Sequence, residues 1–131
     1  MKPSIFTKII NGEIPSHKVY EDEKTLAFLD IHPVQPGHTL VIPKSQVEFL
    51  WDLESDDYAA VMATTKVVAT RLRDVFGVPY VGAKVEGVEI PHAHVHLIPF
   101  SAAEEYKAVA DMTTEPDHEF LASIAEKIRF Q

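Results

Sequence analysis

Apolar and polar positions follow two different spacings along this chain, and the switches between them mark its elements. Ile5, Phe6, Ile9 and Ile10 fall on one helical face behind Ser4, a good N-cap, and Asn11-Gly12 stops the turn. Residues 4–12 therefore read as a short helix, with Pro15 beyond its end. Lys18-Val19-Tyr20-Glu21 and Thr25-Leu26-Ala27-Phe28-Leu29 read as two strands around the polar turn Asp22-Glu23-Lys24. Two prolines and a glycine make 31–37 a rigid loop, and His38-Thr39-Leu40-Val41-Ile42 is a third strand closed by Pro43.

The longest helix is expected to begin at Ser55. Tyr58, Val61, Met62, Thr65, Val68, Ala69, Leu72 and Phe76 give it one apolar stripe, and Gly77 and Pro79 end it. Tyr80 to Val85 reads as a strand, Glu86-Gly87-Val88-Glu89 as a turn, and Ile90 to Pro99 as a further strand. After Phe100 the pattern is helical and polar, and Pro116-Asp117 opens a last helix with Phe120, Leu121, Ile124 and Ile128 on one face. Strands in runs joined by short turns, and separated by a helix, predict an α+β domain. Its expected core is a five-stranded antiparallel sheet with one long helix and short flanking ones, one sheet face being left partly open. At 131 residues, with no repeat or linker, a single domain is expected.

Candidate chemistry concentrates in Ile90-Pro91-His92-Ala93-His94-Val95-His96-Leu97-Ile98-Pro99. In an extended segment alternate side chains share a face, so His92, His94 and His96 line one side while Ala93, Val95 and Leu97 bury on the other. The histidine face is expected to be the open one. Three imidazoles there suit either a zinc site with an open coordination position or a nucleophilic histidine oriented by its neighbours. His38, which follows the tight Pro36-Gly37 corner, can meet them across the sheet. His17, His32 and His118 lie in turn or helix-start contexts and read as surface residues.

Charge and composition narrow the partners. A net charge of −8, from 20 acidic and 12 basic residues, disfavours a nucleic acid polymer but not a small anion in a locally positive pocket. The absence of cysteine excludes disulfides, thiolate metal sites and a cysteine nucleophile. The first residues lack a basic region followed by an apolar run, and no stretch reaches bilayer-spanning length. A cytoplasmic location with no membrane partner is the expectation.

Three stretches, in order, resemble the HIT superfamily. Pro91-His92-Ala93-His94-Val95-His96-Leu97-Ile98 is similar to its histidine triad, and Ile5 to Pro15 to its opening helix. Phe28 to Lys44, containing Asp30-Ile31-His32-Pro33-Val34-Gln35-Pro36-Gly37-His38, resembles its second-and-third-strand block. The resemblance spans about residues 4–100 and leaves the last helix, about 117–129, outside. It implies a homodimeric nucleotide hydrolase or transferase that needs no metal or other cofactor. The enzyme would cleave a phosphoramidate or phosphoanhydride bond of a purine nucleoside monophosphate. By the same resemblance His94 attacks the α-phosphorus to form a nucleotidyl-histidine, and His92 orients it through its backbone carbonyl. His96 and His38 contact or support the phosphate region. Ile5, Phe6, Ile9, Phe28 and Ile31 match positions that sandwich the base, and Asp30 the acceptor of both ribose hydroxyls. The chain departs from the pattern at Tyr80 to Glu89, which is shorter and lacks the usual asparagine, serine or glutamine. Glu89 lies about where that serine acts and is expected to protonate or position the leaving group. The altered loop also leaves open a nucleotide-binding sensor with little turnover.

Overall fold

The structure, a computed structural model, describes residues 2–130. Its elements are α1 (Ile5–Ile10), β1 (Lys18–Glu21), β2 (Thr25–Leu29), β3 (Thr39–Pro43), α2 (Ser55–Phe76), β4 (Tyr80–Lys84), β5 (Val95–Phe100), α3 (Ala103–Lys107) and α4 (His118–Ile128). The strands form one antiparallel sheet in the order β1-β2-β3-β5-β4. The expected α+β, five-stranded antiparallel architecture is the one observed.

Both faces of the sheet are covered. On one, Val19, Leu29, Val41, Val95 and Leu97 pack with Val61, Val68 and Leu72 of α2 and Ile124 and Ile128 of α4. On the other, Phe6 and Ile9 of α1 pack with Leu26, Phe28, Leu40 and Ile42. Each fully buried side chain of this size contributes about 1.5–3 kcal/mol. A six-residue helix cannot persist alone, so α1 depends on that contact and on its cap, where the Ser4 hydroxyl accepts from the Thr7 N–H at 3.0 Å. The second face is therefore not open as expected, because the apolar side of α1 has nowhere else to go.

Other departures are local. β5 begins at Val95, so only His96 of the three histidines lies in a paired strand. Upstream, β3 peels away and the Ala93 N–H donates instead to the Val47 carbonyl at 2.7 Å. Phe120, assigned to the buried side of the last helix, is 42% exposed, whereas Leu121, Ile124 and Ile128 are buried. The outer ends of the α2 stripe, Tyr58 and Met62, are also exposed, leaving Val61, Thr65, Val68 and Leu72 inside. Gly37 has φ +91°, and a side chain there would strike the Phe76 ring, so the corner before β3 demands glycine. Among the described residues no helix is long and apolar enough to cross a membrane.

Candidate active site

One row of side chains crosses the α1 face of the sheet: Phe28 opposite Leu40, Leu40 opposite His96, and His96 opposite Lys84. His92 and His94 extend this face beyond the paired strand, because the chain stays extended and its side chains still alternate. Ala93, Val95 and Leu97 go to the opposite core as expected. The Phe6 ring lies edge-on to both His92 and His94, with centroids 5.8 and 5.2 Å away. The histidines are consequently held inside the protein: His92, His94 and His38 are buried and His96 half-buried.

Hydrogen-bond partners fix which nitrogen carries each proton. A carbonyl only accepts, so the 2.8 Å contact of His92 Nε2 with the Pro43 carbonyl makes Nε2 the donor. Burial holds the His92 pKa below the usual imidazole value, and the neutral ring then accepts at Nδ1 from the Ser4 hydroxyl, 2.8 Å away. Ser4 is held in turn by its own N–H, which donates to Gln46 Oε1 at 2.8 Å, and Thr7 Oγ1 donates to the same oxygen at 2.7 Å. Both His92 nitrogens are thus occupied. Its carbonyl accepts from His94 Nδ1 at 2.8 Å, so that in the neutral ring the lone pair lies on Nε2.

A second chain runs through His38. The Val34 N–H donates to His38 Nδ1 at 3.0 Å, so neutral His38 carries its proton on Nε2 and donates to His96 Nδ1 at 2.9 Å. His96 must then bear its proton on Nε2. Burial, helped by neighbouring positive charge, lowers the His38 pKa to about 3 and the His96 pKa to about 4, so both rings are neutral near pH 7. The His94 and His96 rings meet edge to face with centroids 5.1 Å apart. The arrangement therefore sets a nucleophilic lone pair beside an N–H donor, each oriented from behind by a buried network.

This geometry bears on the zinc expectation. His92 has no free nitrogen, so the three triad imidazoles cannot act as a three-histidine ligand set. Asp30, His38 and His96 do bring one potential ligand atom each within 4.8 Å of the others. A cation there would have to displace the proton shared between His38 and His96 at 2.9 Å.

Asp30 sits behind this pair. Its Oδ1 accepts from the His32 N–H at 2.8 Å, forming the turn, while Oδ2 lies 3.6 Å from His38 Nε2 and keeps its acceptor capacity. Burial raises its pKa, partly offset by that backbone hydrogen bond. Phe6, Ile9 and Phe28 are core residues, Phe6 and Phe28 meeting edge to face at 5.4 Å. Ile5 and Ile31, 48% and 42% exposed, are the two apolar residues of that group available to a ligand. Glu89 is exposed and has no hydrogen bond or ion pair among the described residues, so nothing in the structure supports a role for it. His17 and His118, read as separate surface residues, pair at 3.0 Å, and His32 Nε2 lies 3.2 Å from the Thr114 carbonyl. Sequence reasoning missed Gln46, Thr7, the Pro43 carbonyl and Lys84. Ser4 carried a signal only as a helix cap.

Comparison with known proteins identifies the family. The HIT domain family matches residues 11–102. A HIT-like protein of Borreliella burgdorferi is 42% identical over 106 residues, covering 76% of this chain and 76% of that protein. The adenosine 5′-monophosphoramidase of Saccharomyces cerevisiae is 40% identical over 96 residues, covering 72% of this chain and 61% of its own. The crystal structure of a HIT-like protein from Bartonella henselae superposes with a TM-score of 0.85 at 32% identity, covering 96% of this chain and 93% of that one. A chain that shares the fold over nearly its whole length, and the family's domain across the histidine segment, belongs to the HIT family.

Proposed function

We propose that this protein hydrolyses or transfers a purine nucleoside monophosphate, cleaving its phosphoramidate or phosphoanhydride bond through a covalent intermediate on His94. The observation that carries this reading is the pairing of His94 Nδ1–H with the His92 carbonyl, which puts the lone pair of the neutral ring on Nε2. His94 Nε2 bonds to the α-phosphorus while the bond to the leaving group breaks; that group departs with the electron pair and takes up a proton. Water then attacks phosphorus, the nitrogen–phosphorus bond breaks, and the proton of water passes to solvent. The His96 Nε2–H stabilises charge on a phosphoryl oxygen during both displacements. No step calls on a metal.

Ile5 and Ile31 would border the base, with Phe6, Ile9 and Phe28 as its floor, and Asp30 Oδ2 would accept from the ribose hydroxyls. The activity named for the yeast relative supports the substrate class. We also read the chain as one cytoplasmic domain acting as a homodimer. The exposed Trp51, Tyr58 and Met62 around the start of α2 support association.

Purified protein incubated with adenosine 5′-phosphoramidate is expected to release AMP. Asp30→Asn keeps the turn through its Oδ1 but loses a charged acceptor, so KM should rise about 10–100-fold with a smaller change in kcat. Binding of AMP without release would favour the sensor. Neither binding nor release would overturn the nucleotide reading.

A further inference from the structure

A lysine closes the row of side chains that runs from Phe28 through Leu40 and His96, at the end away from Phe28. Lys84 is the direct cross-strand partner of His96, so its side chain rises from the same face of the sheet as that network. Lys84 is the last residue of β4 and the one basic side chain of the Tyr80 to Glu89 stretch, where Glu86 and Glu89 follow it. The Lys84 side chain is 38% exposed, which leaves the ammonium within reach of both solvent and site. Its positive charge reaches Asp30, His38 and His96: after burial, it is among the causes that keep both imidazoles low and draw the Asp30 carboxyl back down. With His38 and His96 neutral, the positive charge beside the pair is that of Lys84.

Its present partner is weak. Lys84 Nζ stands 3.9 Å from Glu86 Oε1, at the outer limit of an ion pair, and the Glu86 side chain is 57% exposed. Such a pair holds its ammonium loosely. A doubly charged oxyanion within hydrogen-bonding distance of Nζ would displace it.

We infer that Lys84 is a specificity-determining residue which binds an anionic leaving group, so that the preferred substrate is a phosphoanhydride whose leaving group ends in phosphate rather than a phosphoramidate of a neutral amine. The inference rests on the hydrolase reading and deepens it. The nucleoside monophosphate goes to His94 in either case. What differs is the departing piece: an anhydride expels a phosphate oxygen that gains negative charge as its bond to the α-phosphorus breaks. Lys84 meets that charge, whereas a departing amine gains a proton and offers the ammonium nothing.

The test is the ratio of kcat/KM for diadenosine triphosphate, which expels ADP, to kcat/KM for an adenosine phosphoramidate of a neutral alkylamine. Lys84→Met is expected to lower this ratio at least tenfold, and Lys84→Arg to restore it to within about threefold of wild type. Raising salt should lower the ratio in the wild type and leave that of Lys84→Met flat. A merely structural role would lower both rates together, so an unchanged ratio in Lys84→Met overturns the assignment while leaving the hydrolase reading standing. Wild-type protein that cleaves neither compound overturns both.

Discussion

Replacing His94 with alanine should reduce turnover of a nucleoside phosphoramidate about 10⁴-fold or more, with the fold retained. The size of the effect follows from the proton inventory. His92 is buried with both nitrogens engaged, and His96 offers its proton at Nε2 while Nδ1 accepts from His38. Neither ring can take over as nucleophile. On the proposed mechanism His96→Ala removes a donor and not the attacking atom, so its loss should be smaller, about 10²–10³-fold. The His94 ring also packs on Phe6 at 5.2 Å, so each variant needs a melting curve beside its rate. A His94→Ala protein within tenfold of wild type would contradict the assignment. So would a larger loss in His96→Ala.

Acid should unfold this protein earlier than its carboxylates alone would dictate. His38 and His96 fall from 6.5 to about 3 and about 4, and His92 is lowered too, chiefly because burial disfavours the charged ring. The unfolded chain therefore binds protons below pH 6.5 that the folded protein refuses. Stability is full above that value and is lost as pH falls through it towards the folded values. His38, more deeply buried than His96, contributes at most about 1.4 kcal/mol for each pH unit, or about 3 kcal/mol by about pH 4. His96 is partly solvated and contributes less. Asp30 acts in the opposite sense, since its raised pKa makes protonation in the folded state easier. Urea midpoints at pH 7 and about pH 4.5 measure the slope. His38→Asn, which keeps an acceptor for the Val34 N–H but cannot titrate, should be less stable at pH 7 and show a flatter fall. An equal slope in the two proteins would contradict burial of the His38 ring as a cause of the acid sensitivity.

What could be read in the sequence was whatever depends on near neighbours. The bounds of β2 and α2, the Ser4 cap and the Gly77 stop are local matters of spacing and backbone freedom, and the structure has them where expected. The sidedness of His92, His94 and His96 was legible for the same reason, since alternation survives even where the strand does not. Their burial was not. It depends on α1 folding across the sheet, and on Ser4, which meets His92 across 88 residues. Gln46 and the Pro43 carbonyl show no pattern in the sequence that marks them as partners of His92. Phe120 lies on the expected helix but faces outward, because periodicity fixes angles around an axis and not which neighbour arrives to cover them. Lys84 lay unmarked within the Tyr80 to Glu89 stretch that departs from the family pattern, and only the register with His96 gave it a place.

The covalent step proposed for His94 has a direct stereochemical signature. With a substrate made chiral at the α-phosphorus by sulfur and oxygen isotopes, two successive in-line displacements return the original configuration, whereas one attack by water inverts it. The measurement does not depend on the intermediate accumulating. Retention at phosphorus is the expected result; inversion would mean that His94 never bonds to the nucleotide.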